Sequence, residues 1–168
     1  MTGIYPSPLG VILLTGDEIG LTDVRFGEPG FGAERQIPPD LLPAARWLDR
    51  YFAGEQPGEL PPLHPVGTPF QLQVWEMLRQ IPYGKTCTYK DMAKRFHRPM
   101  SAQAIGGAVG KNKLSLFLPC HRVIGSDGSL TGYAWGLWRK EWLLKLEGGS
   151  CPQPPNGLKE RIPLSGAD

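Results

Sequence analysis

The stretch from Thr68 to Asn112 most constrains this chain, because it reads as three helices whose ends are marked by residue type. In "TPFQLQVWEMLRQIPYG", Thr68 can cap a helix, Pro69 suits its first turn, and Gln71 completes a capping box. Phe70, Val74 and Leu78 then share one face, and Pro82-Tyr83-Gly84 ends the element. Thr88, with Asp91 three residues on, starts a second helix, "YKDMAKRF"; "HRPM" turns the chain; Ser101 caps a third segment, "AQAIGGAVGKN". Two short helices about a four-residue turn form a helix-turn-helix candidate. Gly106, Gly107 and Gly110 lie in its second helix, where each costs about 1 kcal/mol against alanine. Close approach to another backbone, either of this protein or of a nucleic acid, would justify that cost.

Charge is concentrated in the same region. Residues 1–84 carry five basic and ten acidic side chains, whereas residues 85–122 carry eight basic and one acidic. The basic set is Lys85, Lys90, Lys94, Arg95, Arg98, Lys111, Lys113 and Arg122. A local excess of this kind fits either a polyanion-binding face or a solvated surface.

Before this region, "GVILLTGDEIGLTDVRF" reads as two antiparallel strands joined by a Gly-Asp turn, and "PPDLLPAARWLDRYFAGE" as a helix starting near Pro43. The expected organisation is a small α/β domain over residues 1–55, a Pro/Gly-rich linker over 56–67, a mostly α domain over 68–148, and a poorly ordered tail over 149–168. After the third helix we expect a short strand (Leu116, Phe117, Leu118), the turn Pro119-Cys120-His121-Arg122, a hairpin around Asp127-Gly128, and a final helix "LWRKEWLLKLE" ending at Gly148. No apolar run approaches membrane-span length and no secretory signal is evident, so a cytoplasmic location is expected. Cys87, Cys120 and Cys151 are too few and too widely spaced for a disulfide framework or a zinc knuckle.

Cys120-His121 is the chemically suggestive pair. A thiol is only a few per cent thiolate at neutral pH unless a base or a positive field assists it, and His121 and Arg122 could supply either. Adjacent side chains of an extended strand point to opposite faces, so the pair needs a sharp turn, which Pro119 makes plausible. Taken alone, such a pair is most often two structural core residues, because cysteine is among the most buried residue types. A metal site is disfavoured because only His64 and His97 remain as further histidines.

"GTPFQLQVWEMLRQIPYGKTCTYKDMA", "SAQAIGGAVGKN", "LPCHRVIG" and "GSLTGYAWGLWRKEWLLKLEG", in this order, resemble the O6-alkylguanine-DNA alkyltransferases, also called methylated-DNA–protein-cysteine methyltransferases. The resemblance covers residues 67–148, with a weaker likeness of the N-terminal part to that family's small α/β domain. It implies an α/β N-terminal domain with antiparallel strands and a mostly α C-terminal domain with a winged or helix-turn-helix DNA-binding motif. The implied partner is double-stranded DNA containing O6-alkylguanine, bound through the minor groove by a monomer. Some members of the family hold a structural zinc through cysteines of the N-terminal part, but residues 1–86 contain none, so no metal and no organic cofactor is expected. Thymine O4 adducts are a further possible substrate.

The resemblance also assigns roles. Cys120 takes the alkyl group irreversibly, once per molecule. His121 is its base and is linked through a water to Glu147; Tyr133 donates a proton towards the guanine; Asn112 braces the active-site segment. Tyr89 crowds the target phosphate to turn the nucleotide out of the stack. Ala102, Gly106 and Gly107 let the helix approach the groove walls, Arg122 is grouped with the DNA-facing residues or with the thiolate's electrostatics, and Trp135 and Lys140 border the pocket. Two positions depart from the family pattern. Gln103 stands where many members carry an arginine finger, and Trp135 stands where some have glycine, which implies a narrower site that disfavours bulky O6 groups. Two alternatives to the transferase are a catalytically inactive binder of alkylated DNA and a thiol-based DNA-binding regulator.

Overall fold

The computed structural model describes residues 1–27, 34–130 and 132–148; the expected tail, with Cys151, lies outside the described residues. The chain divides into two compact units. One holds Met1–Val66 together with Lys113–Ser115, and the other holds Gly67–Asn112 and the chain from Leu116 onward.

The first unit is built on an antiparallel sheet of β1 (Thr2–Ser7), β2 (Gly10–Gly16) and β3 (Leu21–Phe26), in that order. The β2–β3 hairpin follows the expectation, and its turn is fixed by Asp17 Oδ1 accepting from the Ile19 and Gly20 amides. β1 was not foreseen, because Pro6 and Pro8 mask it. An edge strand tolerates proline, and Tyr5 pairs in register with Ile12. Alternation along β2 buries Ile12 and Leu14, and helix α1 (Leu42–Phe52) adds Ala45, Leu48 and Tyr51 to the buried residues of the unit. Tyr5 ties strand to helix through its hydroxyl, which donates to Asp49 at 2.7 Å. Further along, Leu63 bridges to Leu21, with Leu21 N donating to Pro62 O at 2.9 Å.

In the second unit the capping signals act as read. α2 (Pro69–Arg79) opens on a full Thr68–Gln71 capping box, α3 (Tyr89–Arg95) on Thr88, and α4 (Ala102–Gly110) on Ser101. Trp75 on α2 donates its indole N–H to Ala108 O on α4 at 2.9 Å, and α3 packs on α4, so the helix-turn-helix sits on a buried support. A Cβ on Gly67 would approach the Trp75 ring to 2.6 Å, so only glycine fits ahead of the cap.

Two expectations beyond α4 are corrected. Leu116, Phe117 and Leu118 form a buried turn rather than a strand, with Leu116 at φ 78, a left-handed conformation costly for a residue with a Cβ. Asn112 Nδ2 donates to Leu118 O at 2.8 Å and holds this reversal. The chain does turn at Asp127-Gly128, where Gly125 N donates to Ser129 O at 2.9 Å, but no hairpin forms there among the described residues. Instead β5 (Val123–Ile124) pairs in parallel with β4 (Cys87–Thr88), which brings the start of α3 beside the turn that carries Cys120. Helix α5 (Leu137–Glu147) closes the unit as expected.

Candidate active site

Cys120, His121 and Arg122 form a single 3-10 turn after Pro119, with Cys120 N donating to Leu118 O at 2.7 Å and Arg122 N to Pro119 O at 3.0 Å. This resolves the geometric objection to a neighbouring pair, since a tight turn fans successive side chains apart instead of alternating them across a strand. All three residues are buried.

Glu147, the last residue of α5, organises the turn. One carboxylate oxygen accepts from His121 Nε2, and the other accepts from Arg122 Nε at 2.7 Å and from the Gly84 amide at 3.2 Å. Arg122 also donates to Ile81 O at 2.7 Å and lies over the Tyr83 ring. The contact between His121 and Glu147 is direct, which corrects the expected bridging water. Arg122 is likewise corrected out of the DNA-facing set: the residue is 7% exposed and its guanidinium is clamped between a carboxylate and a carbonyl.

Electrostatics assign protonation states here. Burial would push the Glu147 carboxyl up, but His121 and Arg122 outweigh it and hold the group well below the usual carboxylate range. Burial pulls the His121 imidazole down, against the pull of Glu147. The pair is therefore a carboxylate and a neutral imidazole. A neutral ring that donates from Nε2 keeps its lone pair on Nδ1, so that nitrogen is able to accept a proton while Glu147 fixes the ring. The other described thiol, Cys87, offers a contrast. Burial pushes it up, and it donates only to Thr88 O at 3.6 Å, as expected of a structural cysteine.

Tyr89, first residue of α3, joins this centre to the helix-turn-helix. Its ring lies 3.6 Å from where a Cβ on Gly106 would stand, its hydroxyl 3.6 Å from the equivalent point on Gly132, and its centroid 6.0 Å from Lys140 Nζ. Tyr89, Ala102, Gln103 and Gly106 line an open groove of about 1030 Å³ with Lys90, Lys94 and Arg98 on its walls. A Cβ on Gly107 or Gly110 would meet nothing within 4 Å, so packing within the described residues does not require those glycines. Tyr133 is buried, Trp135 is half-buried with its carbonyl accepting from Arg139 at 2.8 Å, and Lys140 is fully buried.

Residues 69–149 match the family described as "6-O-methylguanine DNA methyltransferase, DNA binding domain", and residues 1–60 match its "ribonuclease-like domain". A methylated-DNA–protein-cysteine methyltransferase of Methanosarcina acetivorans is 47% identical over 88% of this chain and 97% of its own. That of Haemophilus influenzae is 40% identical over 85% and 83%. The chain belongs to the methylated-DNA–protein-cysteine methyltransferase family. Among solved structures, Mycobacterium tuberculosis OGT in complex with DNA superposes with a TM-score of 0.78 at 39% identity, covering 89% of this chain and 93% of that one.

The family resemblance pointed to Glu147 but not to the turn that receives it. Pro82-Tyr83-Gly84 reads in sequence only as a helix stop; in the structure it supplies the Gly84 amide and the Tyr83 ring to the Glu147–Arg122 pair, with Gly84 at φ 79. Nothing in composition or spacing signals that use. Among the described residues, no group of three or more His, Cys, Asp or Glu side chains is disposed to hold a metal ion, and no helix is long and apolar enough to cross a membrane.

Proposed function

We propose that this chain repairs DNA by direct reversal, moving the alkyl group from guanine O6 onto Cys120 in a single, irreversible turnover. The observation that carries this reading is the turn itself: a cysteine next to a neutral histidine whose Nε2 is held by a buried carboxylate, beside a basic groove on a helix-turn-helix. In the transfer, the Cys120 thiol proton passes towards His121 Nδ1. The sulfur attacks the alkyl carbon in line, the C–S bond forms as the C–O6 bond breaks, and the electron pair leaves with guanine, which Tyr133 protonates; the thiol proton taken up by His121 then makes good the one Tyr133 gave, so that one proton passes overall from sulfur to guanine. A thioether and intact guanine remain, so the molecule does not turn over.

Binding follows from the groove. Lys90, Lys94 and Arg98 meet phosphates, the outward Gly107 and Gly110 let α4 lie close to the minor-groove walls, and Ala102 and Gly106 keep its flank small. Tyr89 and Gln103 flank the path of the extruded nucleotide, Gln103 filling the gap in the stack and Trp135 limiting adduct size. Asn112 braces the loop that ends on Cys120. In this reading residues 68–148 act as the transferase domain, residues 56–67 join it to the domain over 1–55, and the protein works as a cytoplasmic monomer on O6-methylguanine.

Incubating the full chain with duplex DNA containing O6-methylguanine, followed by peptide mass spectrometry, tests the reading. One methyl group on Cys120 and unmodified Cys87 are expected. Unmodified protein that still binds the DNA would favour a recognition module, and the transferase reading would fail.

A further inference from the structure

Helix α5 buries three charged residues, Lys140, Glu141 and Glu147. Lys140 and Glu147 are seven residues apart, two helical turns, so their side chains lie along one face. That face meets the Cys120–Arg122 turn, since Glu147 bonds both His121 and Arg122 from it. Lys140 is 0% exposed, and its ammonium lies 6.0 Å from the centroid of Tyr89. Glu141, by contrast, pairs one turn onward along the helix with Lys145 at 3.6 Å. A lysine at zero exposure is costly, and such positions are kept where the charge is used.

We propose that Lys140 is a positioning residue for the transfer: from the α5 face that meets the active-site turn, its buried ammonium holds the Cys120 sulfur as an oriented thiolate. The proposal rests on the reading of Cys120 as alkyl acceptor. It supplies what the histidine lacks. Burial disfavours a charged His121, so the imidazole alone is a poor long-term store for the thiol proton, and a second positive charge near sulfur lowers the cost of the anion. Burial brings Lys140 down to about 8, while the Cys120 charge acts in the opposite direction. The titratable groups that act on or lie beside Lys140 are Cys120 and His121 from the turn and Tyr89 from α3, while Glu141 and Glu147 are the acidic residues of its own helix. Glu147 holds His121, Arg122 and the Gly84 amide, and the Cys120 charge is the anion that acts on the Lys140 ammonium.

The test compares wild type, Lys140→Met and Lys140→Arg as full-length proteins. Two rates at Cys120 are read by peptide mass across pH: methyl transfer from O6-methylguanine duplex, and carboxamidomethylation by iodoacetamide, in which the thiolate displaces iodide without DNA. Lys140→Met is expected to slow both about tenfold at neutral pH and to move the rise of the iodoacetamide profile up by about one pH unit, a shift equivalent to that factor. Its thermal midpoint should hold or rise, because an isosteric apolar chain replaces a buried charge. Lys140→Arg keeps the charge and should keep the lower profile, even if its bulk costs stability. A folded Lys140→Met with the wild-type pH profile would overturn the proposal, as would Lys140→Arg shifting as far as Lys140→Met. Failure of methyl transfer in the wild type would strike the functional reading alone and leave the iodoacetamide comparison to judge Lys140.

Discussion

Arg122 and Arg98 come from the same basic run, yet they end in opposite surroundings. Arg122 is buried and shared between Glu147 and the Ile81 carbonyl, whereas Arg98 is exposed over the Phe96 ring at the edge of the groove. A charge clamped in the interior cannot lose its partner without being stranded, while an exposed charge exchanges one partner for water at little cost. The turn around Cys120 is thus built from fixed charges and the groove from replaceable ones. Chemistry on an alkyl carbon needs a set geometry, and holding a flexible polyanion needs only a field.

The widest separation between the two regions should come from Glu147→Gln. The substitution removes the negative charge and turns one of the two acceptor oxygens that serve His121, Arg122 and Gly84 into a donor, which leaves a buried guanidinium uncompensated, so we expect a loss of about 3–5 kcal/mol in urea titration of the full chain. Methyl transfer should fall further than the folded fraction does, by roughly 10²- to 10⁴-fold, because the imidazole loses the partner that sets its tautomer. Lys94→Ala, in the groove, should change stability by no more than about 0.5 kcal/mol. Similar losses in the two variants would break the comparison.

Acid should separate the regions next. Glu147 titrates below its ordinary value in the folded state, so the stability it adds is present above the usual carboxylate range and is lost as pH falls through and below it. His121 is held neutral by burial, so below about pH 6.5 the unfolded chain binds a proton that the folded chain does not, which removes up to about 1.4 kcal/mol per pH unit. Both signs agree, and urea midpoints should fall from pH 7 to 5 and faster below. His121→Gln should flatten the upper part of the fall; a wild-type midpoint constant from pH 7 to 5 would contradict a buried neutral imidazole.

The same contrast explains what could be read in the sequence. Thr68 with Gln71, Thr88 with Asp91, and Ser101 mark helix starts by bonds closed within three residues, so their effect is local and visible. The Leu116–Leu118 turn depends on Asn112 reaching Leu118 and on a left-handed leucine, and three apolar residues in a row look the same in a strand. The parallel pairing of β4 with β5 joins residues 36 apart. On α5 the buried face carries Lys140 and Glu147, so a search for apolar periodicity places these residues outside; only resemblance to a family raised them. Arg122 looked like the end of a basic surface because charge counting cannot see burial.

Gln103 is where the groove departs from simple exchangeability, and it should give the smallest effect. The side chain is exposed on the first turn of α4 and lines the groove with Tyr89 and Gly106, so Gln103→Ala should leave stability unchanged within about 0.5 kcal/mol. If its amide fills the gap left by an extruded nucleotide, the loss is that of a hydrogen-bonding group worth about 1 kcal/mol, or roughly fivefold in the rate on duplex DNA. A single strand has no opposite base to leave unpaired and little stacking to replace, so its repair should scarcely slow. Equal slowing on both substrates would make Gln103 one more general contact of the groove, and the nucleotide's extrusion would then rest on Tyr89.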